Sequence, residues 1–274
     1  MRFIAYSNAG TPTMGVAVDD RVVPLCEVAE FYADLPSYRA AAATKTAAAA
    51  DGLALTDVEP AIPVPATAHV LCAGLNYRDH AAEATADLPT VPDVFGRWAS
   101  TLNRDGGEVP LPPREHGLDW EGELAAVVGA PLRDVDEAEA EEAILGYVCF
   151  NDLSARGFQF AGKQVTVGKN ADGSAPIGAQ IVEPDDLGRA RDLRIRTTVN
   201  GRPKQEGSTA QLVFTAAQII AYVSGCMSLR PGDLVATGTP AGVGFSRAPA
   251  ELLGSGDVVT VSIEGIGELT NTIA

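Results

Sequence analysis

Leu118-Asp119-Trp120-Glu121-Gly122-Glu123-Leu124-Ala125-Ala126-Val127-Val128 is the stretch on which the reading of this chain turns. Its second half is apolar and reads as a strand. Its first half sets two carboxylates two residues apart. Residues i and i+2 of a strand point to one face. Glu121 and Glu123 therefore stand side by side at the edge of an otherwise apolar strand. Two carboxylates packed that closely in a partly buried site repel, and one stays protonated. A hard divalent cation resolves the conflict, because Mg²⁺ or Ca²⁺ takes carboxylate oxygens. Without a cation the same pair is two solvated acids on an edge strand.

A third carboxylate, Asp152, ends a second apolar run that begins at Gly146. An acid at the exit of a buried strand either caps the next turn or serves as a third oxygen ligand. Arg156 and Gln159 follow, one helical turn apart, so they share a face and can point donors into one pocket. Arginine suits a planar carboxylate, which it grips with two parallel hydrogen bonds.

Upstream, Gly74-Leu75-Asn76-Tyr77-Arg78-Asp79-His80-Ala81-Ala82-Glu83 follows the strand-like residues 70–73. His80 and Glu83 fall three apart on an expected helix, which is contact distance. A carboxylate that orients an imidazole prepares it as a general base on water. Downstream, Lys169 lies in what reads as a glycine-rich loop, residues 168–178, where an ammonium could hold a carboxylate or an enolate oxygen. Residues 231–244 read as a turn, a short strand and a second glycine-rich loop carrying Thr237 and Thr239. Such a loop can bring backbone N–H groups against an anion. Its spacing is not that of a phosphate-binding P-loop, and it has no basic residue.

In this order the elements resemble the fumarylacetoacetate hydrolase family, in its shorter bacterial branch of acylpyruvases, fumarylpyruvate hydrolases and related 2-oxo acid decarboxylases and isomerases. The resemblance runs from about residue 65 to the C-terminus. It rests on residues 74–83, 119–124, 127–129, 151–156, 168–169, 176–178 and 231–244. It implies an α+β, strand-rich fold, a mixed β-sandwich roll with a small N-terminal α+β domain, usually paired as a homodimer. It implies Glu121, Glu123 and Asp152 as metal ligands for Mg²⁺ or Mn²⁺, with Ca²⁺ also compatible. It implies His80, Glu83 and Lys169 in catalysis, and Arg156, Gln159 and Thr239 as substrate contacts. The implied activity is hydrolysis of a C–C bond in a β-diketone or acylpyruvate-type 2-oxo acid through a metal-stabilised enolate, in aromatic catabolism. Decarboxylation or tautomerisation of a 2-oxo acid is the alternative, and a catalytically silent ligand-binding relative a further one. Four positions depart from the family pattern: Arg97, Gly157, Asn170 and Ala179. None of the four is expected to touch the metal ligands.

Composition narrows the class. The chain has 274 residues, 46% hydrophobic, enough to bury a substantial core. The formal charge of −16 argues against nucleic acid or an anionic membrane as partner. An anionic substrate must then be drawn by a local site. The four cysteines form no Cys-x-x-Cys motif, and Cys72 and Cys149 read as small core residues. Residues 212–229 carry no charge, but the recurrence of Ile219, Ile220, Val223 and Met227 suits a helix with one buried face, begun near Thr215. A cytoplasmic protein follows. The acids of residues 134–142 read as a solvated helix start.

Two domains are expected, residues 1–64 and 65–274, with prolines at 60, 63 and 65 as the linker. The first contains strands over residues 2–6, 14–18 and 21–24, and helices over residues 26–32 and 37–50. In the second, residues 193–199 alternate and meet Asn200-Gly201, a tight-turn signal, and residues 257–263 open a closing hairpin. The proline-rich residues 85–117 read either as a lid that closes over the site or as an ordered connection.

Overall fold

The strand Gly122–Val128 is buried at every residue, as is its antiparallel partner Ile144–Asn151. Continuous burial means that both faces of the sheet are covered, and the strand's residues divide accordingly. Leu124, Ala126 and Val128 join one apolar cluster with Ile195, Ile219, Ile220 and Val261. Ala125 and Val127 join another with Phe3, Met14, Phe31, Val70 and Phe150. Fully burying side chains of this size is worth about 1.5–3 kcal/mol each. Glu121 and Glu123 have the parity of Ala125 and Val127, so the carboxylates share that second face.

A computed structural model describes residues 1–45 and 52–274. Around the central pair runs a large mixed sheet. On one side Ile144–Asn151 passes to Gln180–Val182, Arg2–Asn8, Thr11–Val18 and Arg21–Glu27. On the other, Gly122–Val128 passes to Leu234–Ala236, Val70–Gly74 and Asp93–Arg97. Leu234–Ala236 and Val70–Gly74 pair in parallel. A second sheet of five strands, Arg202–Ser208, Arg194–Val199, Val258–Ile263, Gly267–Ile273 and Glu108–Val109, packs against the first. The strand-rich α+β architecture read from the sequence is the one observed. Asn200 and Gly201 make the hairpin turn with φ of 50° and 74°, the left-handed conformation that this turn demands.

The helix Ala216–Ser224 starts at a capping box of Thr215 and Gln218 and buries Ile219, Ile220 and Val223. No helix among the described residues is long and apolar enough to cross a membrane. The acidic segment forms the helix Glu137–Glu142, capped by Asp136, whose carboxylate accepts from Glu139 N.

Residues 1–64 share a sheet with residues 65–274, because Arg2, Phe3 and Ile4 pair with Val182, Ile181 and Gln180. They also share a core, in which Phe3, Phe31, Val70 and Ala125 sit together. Of the helix expected over residues 37–50, the part to Lys45 belongs to Leu35–Lys45, and residues 46–50 lie outside the described residues. Residues 85–117, read as a lid or an ordered connection, run for most of their length as a connector between the sheets. Asp93–Arg97 pairs with Val70–Gly74, Leu102–Arg104 with Ala175–Ile177, and Glu108–Val109 with the final strand. Its prolines flank these short strands rather than interrupt them.

Candidate active site

The register of the central pair assembles the acids. Gly122 stands opposite Asn151 and Glu123 opposite Phe150. Asp152 N donates to Glu121 O at 2.9 Å, which extends the ladder by one pair. Directly opposed residues bring their Cβ atoms to about 4.5–5.5 Å. Glu121, Glu123 and Asp152 thus project from one corner of one face. One oxygen from each lies within 4.8 Å of the others, and all three residues are buried. A hard divalent cation suits this all-oxygen donor set.

Three buried cations surround the acids. Lys169 Nζ bridges Glu121 Oε2 at 2.8 Å and Asp152 Oδ2 at 2.6 Å. Arg156 Nη2 donates to Glu121 Oε1 at 2.6 Å. Arg97 Nη1 pairs with Asp152 Oδ1, and Nη2 with Ser174 Oγ. With Asp119, four buried carboxylates face three buried cations, leaving one negative charge in excess. The pKa shifts show where that excess sits. Burial, Asp152 and Glu121 together push the Glu123 carboxyl well above the usual carboxylate range. At Glu121 burial acts in the same upward sense, but Lys169 and Arg156 outweigh it and hold the carboxyl down at about 2. Burial disfavours the charged Lys169, and Asp152 and Glu121 outweigh it, so its pKa is raised.

His80 lies on the short helix Arg78–Glu83. Its Nδ1 is 3.1 Å from Glu83 Oε2, which leaves Nε2 as the second ring nitrogen. The imidazole is close enough to add to the field on Glu121. Glu83 Oε1 accepts from Gly242 N at 3.0 Å.

That last contact belongs to a pattern. The glycine loop turns its backbone N–H groups onto anions, as its composition suggests, and the anions are the protein's own carboxylates. Gly238 N donates to Glu123 Oε2 at 2.8 Å, Gly244 N to Asp119 Oδ1 at 2.6 Å, and Phe245 N to Asp119 Oδ2 at 3.1 Å. Gly238 and Gly242 have φ of 92° and 103°, where a side chain is strained.

Several positions differ from the sequence reading. Lys169 ends the short helix Thr166–Lys169 and is buried against two carboxylates rather than standing in a loop. Arg156 and Gln159 do share a face, joined by Nη1 to Oε1 at 2.7 Å, but the guanidinium fork points inward at Asp119 and Glu121. The Thr239 hydroxyl donates to Gly122 O at 2.9 Å and accepts from Gln205 Nε2 at 2.7 Å, so it braces the start of the strand Gly122–Val128. Arg97, expected to stand clear of the acids, touches Asp152 directly, because Asp93–Arg97 forms the strand beyond Val70–Gly74 on the same side of the sheet.

Other contributors carried no recognised signal. Gln205 reaches from the second sheet to accept from Gly122 N at 2.9 Å and to donate to Pro240 O at 2.8 Å. Tyr77 is fully buried beside Glu123. A cavity of about 890 Å³ on the second sheet, lined by Arg194, Arg196 and Glu264, includes none of these residues.

Residues 69–274 match the family described as fumarylacetoacetate (FAA) hydrolase C-terminal. A 2,4-didehydro-3-deoxy-L-rhamnonate hydrolase from Sphingomonas sp. strain SKA58 is 38% identical over 272 residues, covering 97% of this chain and 94% of that protein. A fumarylacetoacetate hydrolase from Exiguobacterium antarcticum superposes with a TM-score of 0.83 at 31% identity, covering 100% of this chain and 99% of that one. A fumarylpyruvate hydrolase from Pseudomonas aeruginosa, solved with Mn²⁺ and pyruvate, superposes with a TM-score of 0.69 at 30% identity, covering 80% and 91%.

Proposed function

We infer that this chain, which belongs to the fumarylacetoacetate hydrolase family, is a divalent-cation-dependent hydrolase cleaving a C–C bond in an acylpyruvate or β-diketone type of 2-oxo acid. The observation that carries the reading is the convergence of Glu121, Glu123 and Asp152 within 4.8 Å. These three residues would hold Mg²⁺ or Mn²⁺, the latter present in the fumarylpyruvate hydrolase neighbour. When bound, the cation supplies Lewis-acid polarisation of the substrate's carbonyl oxygens. The charges support the substrate class. A divalent ion beside four ionised carboxylates and three cations leaves one positive charge, which a monoanionic 2-oxo acid cancels.

The chain's own residues would divide the remaining work. Gln159 Nε2 and the spare N–H of Arg156 Nη1 receive the substrate carboxylate. Lys169 and Arg97 keep Asp152 and Glu121 in place. Glu83 fixes the His80 ring through Nδ1, so Nε2 takes a proton from water. The resulting hydroxide adds to the distal carbonyl carbon. The bond from that carbon to the adjacent methylene breaks, its electron pair passing to the 2-oxo acid fragment as an enolate. The His80 imidazolium returns its proton to the former methylene carbon of the enolate, and a carboxylic acid and a 2-oxo acid leave. A homodimeric state comes with the reading from the family resemblance.

Product analysis by NMR tests it, using Mg²⁺ or Mn²⁺ with a panel of acylpyruvates, oxaloacetate and cyclic diketones. The expected outcome is metal-dependent release of pyruvate and a carboxylic acid from an acylpyruvate, abolished by a chelator. Carbon dioxide from oxaloacetate alone would mark a decarboxylase, and a shifted double bond a tautomerase. Bound metal with no turnover of any panel member would mark a silent relative.

A further inference from the structure

Asp119 is fully buried, yet it belongs neither to the three-acid set nor to the His80 pair. Its carboxylate receives Arg156 Nε at 2.8 Å and Nη2 at 2.7 Å, Gly244 N at 2.6 Å and Phe245 N at 3.1 Å. A carboxylate stays charged in a dry site only when such donors replace water. The donors come from two separate objects. One is Arg156, whose remaining N–H groups reach Glu121 and Gln159. The other is the glycine loop, in which Gly242 N holds Glu83, and Glu83 holds His80.

The contacts form a continuous chain from Glu121 through Arg156, Asp119, the loop and Glu83 to His80. Residue 244 is part of its construction. A Cβ there would meet Asp119 Oδ1 at 2.7 Å and the Glu251 carbonyl oxygen at 2.0 Å, so the carboxylate reaches the loop backbone only because the residue is glycine. On the solvent side the Phe245 ring packs at a tilt against Phe160, centroids 4.8 Å apart, and lies 6.0 Å from the Arg156 guanidinium, which packs the same junction from outside.

We propose that Asp119 is a positioning residue that sets the aim of Arg156 and the seat of the His80–Glu83 pair together, so that one loop assembles both substrate grip and water activation. The proposal rests on the hydrolase reading above for its kinetic consequences, and on geometry alone for its structural ones.

Asp119→Asn keeps one accepting oxygen and the shape but removes the charge. With a turned-over acylpyruvate, KM should rise and kcat fall, each by about tenfold, because displacements near 1 Å cost about 10²-fold in total. The Kd for Mn²⁺ should stay within about threefold, since none of the three acids is altered. Should the single variant fail to fold, the double variant Asp119→Asn/Arg156→Gln removes both charges of the pair. Compared with Arg156→Gln alone it should leave KM unchanged and lower only kcat, because the grip is already lost and only the loop's seating of the His80–Glu83 pair remains to be lost. Wild-type KM and kcat beside a lowered Tm would overturn the proposal, as would a further rise in KM in the double variant. A loss of Mn²⁺ affinity in step with activity would overturn it too. If the wild type turns over no 2-oxo acid, the hydrolase reading fails and Asp119 is judged by ¹⁵N NMR. Asp119→Asn should then shift the Gly242 amide and the His80 ring nitrogens, and unchanged resonances would refute the positioning role.

Discussion

Glu121, Glu123 and Asp152 hang from two fully buried strands, and their cationic partners Arg97 and Lys169 are buried with them. His80 and Glu83 sit a short distance away on a six-residue helix, with side chains 15% and 22% exposed. The first region is held by register, ladder and ion pairs, so its geometry is fixed before any ligand arrives. The second is held by one carboxylate and one loop amide. A set that must present oxygens to an ion gains from rigidity. A base that must meet water, take its proton and return it needs an open ring nitrogen. Damage to the first region should therefore show in stability and metal affinity, and damage to the second in turnover alone.

His80→Ala is the largest expected effect and tests the second half of that contrast. Turnover should fall by about 10²–10⁴-fold, the usual worth of a general base, while Mn²⁺ affinity is kept. Hydrolysis that survives the change removes His80 from the role of base. Lys169→Met tests the first half. Removing the ammonium shared by Glu121 and Asp152 leaves buried charge uncompensated, which costs about 3–5 kcal/mol. Denaturant unfolding without metal should show that loss, and added Mn²⁺ should restore part of it. A variant as stable as the wild type would mean that the cluster is not held by its charges.

A smaller effect sharpens the role of Glu123, whose carboxyl is held well above the usual range by burial, Asp152 and Glu121. Such a group carries a proton in the metal-free protein up to its raised value, and a cation must displace that proton. Affinity for Mn²⁺ should therefore increase with pH, by at most about tenfold per unit, and up to one proton should leave per ion bound. Calorimetry in two buffers of different ionisation enthalpy measures the release. Glu121 has the opposite sign: its lowered value contributes stability above the unfolded pKa that is lost as pH falls toward about 2. The smallest effect is a remote control. Gly201→Ala, in the left-handed hairpin turn at φ 74°, should cost about 1–2 kcal/mol and leave turnover unchanged.

The contrast also explains what was legible from sequence. Strand parity in residues 121–128, the Thr215 start of the helix Ala216–Ser224 and the Asn200-Gly201 turn are local codes, written in spacing and residue type. The His80–Glu83 contact is likewise three residues long. Asp152 lies opposite Glu121 because of strand register, which no short window contains. Arg97 meets Asp152 across 55 residues and Lys169 meets Glu121 across 48, so their partners depended on the folded sheet. The inward turn of Arg156 was hidden for the same reason, since Asp119 takes its donors from a loop 125 residues away. The short strands within residues 85–117 were not visible in the sequence, because prolines between strands look like prolines in a loop.

The proposed function requires three carboxylates from two neighbouring strands to hold one divalent ion. An electron paramagnetic resonance titration with Mn²⁺ tests it on the wild type and on Glu123→Gln. One site per chain in the wild type, lost in a variant that keeps the wild-type circular dichroism spectrum, is the predicted result. A wild type that leaves Mn²⁺ free in solution, or a Glu123→Gln protein that binds it equally well, would rule out a three-carboxylate ion site.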